Sequence, residues 1–549
     1  MCLNGGRFAP VQSTIVCAAF FVVRSELTGA KHGQNFKHLP WANSTENAAL
    51  ATMKVLMEPR PPGSARVLCI WLIWALIPLS VVAGQVYYVS PVGNDTQPGT
   101  QAMPLRQIRK ALTKVHPGDA VLVADGNYLG FDVDTLVASG AAPITIQAQG
   151  TNAVILPTTD RADNRDTIYI LDSTYVVLDG FRSFNANRAA LRIEGGDHIT
   201  VRNCIFGNNA TWGILTGHSP DLLIECNECY GSVAQHGIYV ANSADRPVVR
   251  GNRCYRNYQC GIQLNADLYT PPGDGIITDA LIENNVLYDN GAGGGGALNL
   301  DGVQDSVIRN NLLFTNHASG IILFQIDGAE GPRGNWIYHN TIDQAANGRW
   351  ALGLKQTTGA NYVRNNVLYN RHSFRGGLQF GDTTDAANTD TDYNIVNYIT
   401  TDDGNSRLSL AQWQAMGHDA HSQTGAVTAL VVDASSGNYL LQTNSPAADA
   451  AQPLPGAATD IDGLPRPFGS APDIGCYERW PLALQLVQAN PGGLRIKLFG
   501  GAGRSYRIET APTLANWAAL ASLVRSNLPL EMVITNDGTC RFYRAVCIP

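Results

Sequence analysis

Gly213-Ile214-Leu215-Thr216, Gly237-Ile238-Tyr239-Val240 and Gly261-Ile262-Gln263-Leu264 are one phrase written three times: a small residue, an apolar residue, a free choice, then an apolar residue or Thr. It is heard earlier as Ala190-Leu191-Arg192-Ile193 and later as Ala297-Leu298-Asn299-Leu300, Gly320-Ile321-Ile322-Leu323, Ala351-Leu352-Gly353-Leu354 and Gly377-Leu378-Gln379-Phe380. Subtracting successive positions of the first apolar residue (191, 214, 238, 262, 298, 321, 352, 378) gives steps of 23, 24, 24, 36, 23, 31 and 26. A period in the twenties with strand-like alternation, broken by a few long steps, predicts a solenoid whose extra residues form loops on one face.

A second phrase runs half a period behind. It reads Ile224-Glu225-Cys226-Asn227, Val249-Arg250-Gly251-Asn252, Ile282-Glu283-Asn284-Asn285, Ile308-Arg309-Asn310-Asn311, Ile337-Tyr338-His339-Asn340 and Val363-Arg364-Asn365-Asn366. Each repeat therefore holds at least two short strands, each ending in a turn. Asn tolerates left-handed turn backbone, and its amide can bond an Asn one rung away. Asn227, Asn252, Asn285, Asn311, Asn340 and Asn366 are expected to form an internal ladder rather than a polar binding row. The double phrase resembles the right-handed parallel β-helix repeat of pectate-lyase-like proteins. The resemblance covers most of the chain and implies an all-β, pectin-lyase-like solenoid.

The chain has 549 residues, of which 15% are charged and 55 are Gly, with a formal net charge of −7. Low charge and abundant Gly suit a stacked all-β protein, which lengthens without needing one central core. The mild acidity gives no electrostatic reason to expect nucleic acid or an anionic membrane. It does not exclude an anionic polysaccharide, because a local basic patch can coexist with a negative total. Nothing in the sequence calls for more than a monomer.

Residues 1–52 show no periodicity and read as an uncertain extension. Residues 53–84 carry Lys54, Arg60 and Arg66, then the apolar run Val67 to Ala83 and the small-residue flank Val82-Ala83-Gly84. That order predicts a secretory signal, with a retained membrane anchor as the alternative, and hence a secreted, periplasmic or cell-surface protein. Of the 11 Cys, Cys204, Cys226, Cys229, Cys254 and Cys260 lie in the repeats, several in slots filled elsewhere by Leu287, Leu313 and Ile342. They read as stacked small hydrophobes, since Cys226 and Cys229 have no second pair at metal-like spacing. Cys540 and Cys547 could pair in an exported protein.

Residues 85–479 are assigned to the solenoid with its caps. Pro104 to Lys114 has helical spacing and starts with Pro, which suits a helix covering the open end of the stack. Residues 131–188 read as the first rungs. Ser409 to Met416 reads as a helix with Ser409 as N-cap. His418-Asp419-Ala420-His421 reads as loop or cap rather than a metal site, and Asp460 to Glu478 as the C-terminal close of the stack. Residues 480–549 alternate in short runs, such as Leu494-Arg495-Ile496-Lys497-Leu498, and read as a small antiparallel β-sandwich.

In the first phrase the free position and the residue after the second apolar one point outward. Stacking gives one column of Arg192, Leu215, Tyr239, Gln263, Asn299, Ile322, Gly353 and Gln379. A second column holds Glu194, Gly217, Ala241, Asn265, Asp301, Phe324, Lys355 and Gly381, and a third, one step earlier, Trp212, His236, Cys260, Gly296, Ser319, Trp350 and Gly376. Polar and aromatic residues concentrate in the middle rungs. The long steps, Asp267 to Ala280 and Gln325 to Gly334, fall beside them and predict the walls of a groove. Amides and aromatic faces suit an extended carbohydrate. Gln263, Asn265, Asn299, Gln325, Arg349 and Trp350 are the expected substrate-binding residues.

The resemblance implies a carbohydrate-active protein, with a polysaccharide lyase acting by β-elimination on an acidic glycan as the leading expectation. In lyases of this fold the base is often Lys or Arg, frequently with Ca²⁺ nearby. Lys355 is the expected base, with His236 or Tyr239 as alternative acid or base, and Asp301, with Asp327, as Ca²⁺ ligand or orienting group. A glycoside hydrolase or epimerase on the same fold, or a non-catalytic glycan-binding or adhesive surface protein, are the other readings, and no complete lyase signature is present.

Overall fold

A computed structural model describes Phe21 and Val22, residues 84–158 and 165–479, and most of the strand residues between 483 and 548. Its body is a parallel β-helix of three long sheets. Sheet I has 12 strands, from Phe131–Asp134 to Leu408–Ser409; sheet II has 12, from Val86–Val89 to Thr389–Asp392; sheet III has 11, from Gly126–Leu129 to Ile395–Val396. The coil thus begins before residue 131, since Val86–Val89 and Ala120–Val123 already pair in parallel.

The first phrase is sheet I, in the register read from the sequence. Leu191, Ile214, Ile238, Ile262, Leu298, Ile321, Leu352 and Leu378 pair in an unbroken column. All are buried to within 1% exposure, as are Ile224, Val249, Ile282, Ile308, Ile337 and Val363 of sheet II. Identical slots stack because a one-residue slip would turn every apolar side chain outward and forfeit roughly 1.5–3 kcal/mol for each.

The Asn ladder is present, but its left-handed residue sits one place earlier than expected. Positive φ belongs to Cys226, Gly251, Asn284, Asn310, His339 and Asn365, each directly before a ladder Asn. The ladder Asn itself turns inward. Asn285 Nδ2 donates to Val249 O (2.9 Å) and Asn311 Oδ1 (3.0 Å), while its Oδ1 accepts from Asn252 N (2.9 Å) and Nδ2 (3.1 Å). The row runs on through Asn366 to Asn394. A second ladder, Asn257–Asn290–Asn316, fills the turn between sheets III and I by the same bonds.

Sheet III is the strand that the two-phrase reading lacks. It starts immediately after the ladder Asn, as in Glu228–Tyr230, Arg253–Tyr255 and Val286–Tyr288. Cys229, Cys254, Leu287, Leu313 and Ile342 form its inner column, so the buried thiols of Cys229 and Cys254 are packing groups. Its outer side carries a ring stack, Tyr230–Tyr255–Tyr288–Phe314, with centroids 4.8–5.0 Å apart. Cys226 differs: it is exposed at the turn.

At the N-terminal end a short helix, Ile108–Leu112, buries Ile108, Ala111 and Leu112. Leu410–Ala415 is helical with Ser409 as N-cap in a reciprocal box with Gln412. Asp419 accepts from Trp413 Nε1 (2.7 Å), and His418 stacks on Trp413 with ring centroids 3.9 Å apart. The segment from Asp460 to Glu478 does not extend the stack. It lies along the side of the late coils, where Gly475 N donates to Asn365 O and Arg466 reaches His339. Beyond it, Ala483–Ala489, Gly493–Phe499 and Leu530–Ile534 form one antiparallel sheet, and Ser505–Ala511, Ala518–Val524 and Phe542–Ile548 another. The signal or anchor segment and the Cys540–Cys547 pairing lie outside the described residues. No helix among the described residues is long and apolar enough to cross a membrane.

Candidate functional site

The outward columns of sheet I stand as read: Arg192, Leu215, Tyr239, Gln263, Asn299, Ile322, Gly353 and Gln379 are successive partners, and Asn265 pairs with Asp301, which pairs with Phe324. The expected site residues share this face but divide into two groups along it. Lys355 and His236 are four rungs apart, roughly 19 Å at the ~4.8 Å strand spacing.

The downstream group forms a cleft of about 530 Å³. Asn299, Arg349, Trp350 and Lys355 line it together, and Arg375, Gln379 and Asp403 join them. At Gly353 the floor is taken up by the Ile322 side chain, which a Cβ there would meet at 2.4 Å. Trp350 is 3% exposed and packs under Gly404, whose φ of 91° and close approach (a Cβ would lie 3.0 Å from the indole nitrogen) both favour glycine. The left-handed Asp403 preceding it turns its carboxylate onto Lys355 Nζ, and Gln379 Nε2 donates to the same oxygen at 2.8 Å. Arg375 Nη1 is anchored on Gly348 O at 2.9 Å. Three cations and one carboxylate therefore meet amides and an indole in a chain whose total charge is −7.

Arg375 and Asp403 were not read from the sequence. Arg375 directly precedes Gly376, so extending the third column by one residue finds it. Asp403 lies in a loop after Tyr398–Thr400, beyond the regular phrases, and nothing in the pattern marks it.

The upstream group is differently employed. His236 is 4% exposed; its Nδ1 accepts the Cys260 N–H (3.2 Å), and burial pushes its pKa down to about 3. It is a neutral tie between coils. Burial, then the carboxylates of Asp327, Asp267 and Asp301, raise the Tyr239 phenol to about 12, so it is a hydrogen-bond donor rather than a base. Asp301 is 1% exposed and accepts from the backbone N–H of Ile326 (2.9 Å), Asp327 (2.9 Å) and Gly328 (3.3 Å). Burial raises its pKa against the pull of those N–H groups. It organises the loop. Gln325 does the same from within, donating to Gly328 and Ala329 carbonyls. Asp327 accepts from Asn265 Nδ2 (3.3 Å), whose Oδ1 accepts from Gln263 Nε2 (3.3 Å). This donor set does not fit Ca²⁺, which takes six to eight oxygens: the Asp301 oxygens already accept from three backbone amides, and Asp327 accepts from Asn265. Among the described residues the one group of three metal-capable side chains within 4.8 Å is Asp197, His198 and Asp221, elsewhere on the coil, and Asp221 is bonded twice to Arg246 at 2.8 Å.

Both long steps are wall loops. The segment after Ile262–Asn265 folds back over earlier coils: Gly275 N donates to Ser243 Oγ (2.8 Å), and Thr270 O meets His218 Nε2 (3.0 Å). His218 Nδ1 faces Glu194 Oε1 at 3.0 Å.

Residues 87–340 match the family described as Pel9A-like, right handed beta helix region. The crystal structure of pectate lyase Pel9A aligns with a TM-score of 0.52 at 19% identity, covering 73% of this chain and 98% of that one. A rhamnogalacturonan lyase aligns at 0.36 and 16% identity, covering 66% and 96%, and an alginate lyase from Paenibacillus sp. str. FPU-7 at 0.36 and 18%, covering 50% and 94%. No curated protein matches the chain. The recurring phrases, the three stacked sheets and the match over residues 87–340 show that this region is a Pel9A-like right-handed parallel β-helix and that the chain shares its fold with pectate lyase Pel9A.

Proposed function

We propose that the chain is an exported polysaccharide lyase acting by β-elimination on an acidic glycan, with its chemistry in the cleft around Lys355. The observation that carries this is the gathering of Arg349, Lys355 and Arg375 over amides and an indole in an otherwise acidic chain. Likeness of fold to a pectate lyase agrees with a polysaccharide substrate, and the pattern of residues 53–84 supports export.

In this reading Arg349 and Arg375 take the uronate carboxylate, because guanidinium matches a carboxylate in two parallel hydrogen bonds. Asn299 and Gln379 bond ring hydroxyls. Lys355, in its neutral amine form, removes the proton from the carbon next to the carboxylate. The electron pair first spreads onto the carboxylate, where the cations stabilise it, then forms the C=C bond as the glycosidic oxygen leaves and takes a proton from the Lys355 ammonium or from water.

The test is incubation with pectate, alginate and glycosaminoglycans while following ultraviolet absorbance of unsaturated uronate. A lyase produces it on at least one. Retention of glycan on a native affinity gel with no such product, and no new reducing ends, means a binding protein. New reducing ends without the absorbance mean a hydrolase.

A further inference from the structure

The face of sheet I continues well upstream of the cleft, and its far end carries groups that neither the fold nor the proposed chemistry uses. Tyr169, Arg192, Leu215 and Tyr239 are successive partners in the first outward column. Arg192 lies over the Tyr169 ring, 5.2 Å from its centroid, and is held by Glu194 (2.9 Å). Trp212 and Tyr239 stand 6.3 Å apart, tilted by 35°. Two donors here have no partner although their atoms are buried: Arg192 Nε and Trp212 Nε1. An orphaned donor costs about as much as a hydrogen bond lost, and a ligand hydroxyl would satisfy it.

The flanks and the path point the same way. Tyr258 and Tyr269, on turns either side of this stretch, are 50% and 82% exposed. Trp212 and Trp350 are five rungs apart, ~24 Å at the strand spacing. The floor between them bears Gln263 and Asn299, amides that suit hydroxyls. Aromatic rings tolerate any sugar that offers a C–H face, so such a platform binds without choosing the bond to be cut.

We infer that Trp212, Tyr239 and Arg192 form a distal sugar-binding platform, which holds an extended polysaccharide while another part of the same strand occupies the Lys355 cleft. This rests on the reading of the cleft as a polysaccharide site.

Calorimetric titration of the full chain with oligomers of two to ten sugars tests it, using uronate series from pectate, alginate and glycosaminoglycans and a neutral gluco-oligosaccharide series. Affinity is expected to climb with length until the oligomer spans both sites, then level off. Trp212→Ala is expected to lose about tenfold for the long oligomers and little for dimers, and Trp212→Phe, which keeps a ring, to retain most of the gain. Trp350→Ala is expected to weaken every length alike. Equal loss at all lengths from Trp212→Ala, no loss at any, or no length-dependent binding of either series by the unaltered protein overturns the platform. Length dependence confined to neutral oligomers leaves the platform standing and overturns the acidic-glycan reading instead.

Discussion

His236 and Lys355 show how one face can give similar side chains different work. Both sit on columns that point away from the core, yet His236 is closed in and Lys355 keeps 27% of its side chain exposed. The His236 pKa, depressed to about 3, makes a stability prediction. Its ring is neutral when folded and titrates near 6.5 when unfolded, so its contribution is present above about pH 6.5 and is lost as pH falls from there toward 3, each unit of depression being worth about 1.4 kcal/mol. The denaturation midpoint of the unaltered protein should therefore fall faster over that window than that of His236→Gln. Parallel curves would show that the ring is not held neutral by burial. Outwardness of His236, Tyr239 and Asp301 was legible in the sequence. Their employment was not, because it depends on what the loops do: Asp301 is consumed by the backbone of residues 326–328, and Asp403 comes from a loop with no repeat to place it.

Among the elements, the ladders and the wall loop make separate predictions. Asn285→Ala strips partners from Val249 O, the Asn252 amide and N–H, and Asn311 Oδ1, all of them buried. At ~1–3 kcal/mol for each orphaned group, the loss should be about 3 kcal/mol or more, read from the denaturation midpoint. A cost near that of an exposed Asn would mean the ladder is incidental. The loop of residues 266–276 hangs on His218, whose two ring nitrogens both face acceptors, Glu194 and Thr270 O, with Asp267 also near and Arg192 bonded to Glu194. Only the doubly protonated ring satisfies both. Although burial opposes it, the bonds to Thr270 and Glu194 raise its pKa above the usual 6.5. The tie is thus complete below about pH 6.5 and is lost as pH rises through the higher folded value. Amide exchange in residues 266–276, corrected for intrinsic rates, should quicken over that rise, and His218→Gln should be fast throughout. Exchange indifferent to pH would contradict the latch. Sheet III escaped notice for a geometric reason: a single inward Asn separates it from sheet II, so two strands read as one phrase and its tail.

Across the whole molecule, register was the most legible property. Apolar spacing alone put Asn299 within two rungs of Trp350 and Lys355, although they span 56 positions of sequence from 299 to 355, because each coil must bury the same slots. Charge was less legible at this scale. A total of −7 conceals a cleft holding three cations, since folding concentrates Arg349, Lys355 and Arg375 from two successive turns of the coil. The central claim is that this cleft, not the His236 end of the groove, carries out the chemistry. Its most direct measurement is the initial rate of unsaturated uronate formation by Lys355→Ala and His236→Gln on whichever acidic polymer the unaltered protein cleaves, at a pH where both remain folded. Loss of the general base should cost at least about a hundredfold in Lys355→Ala, while His236→Gln should stay within about threefold of the unaltered rate. Wild-type rates from Lys355→Ala, or abolition by His236→Gln with folding intact, would contradict the account.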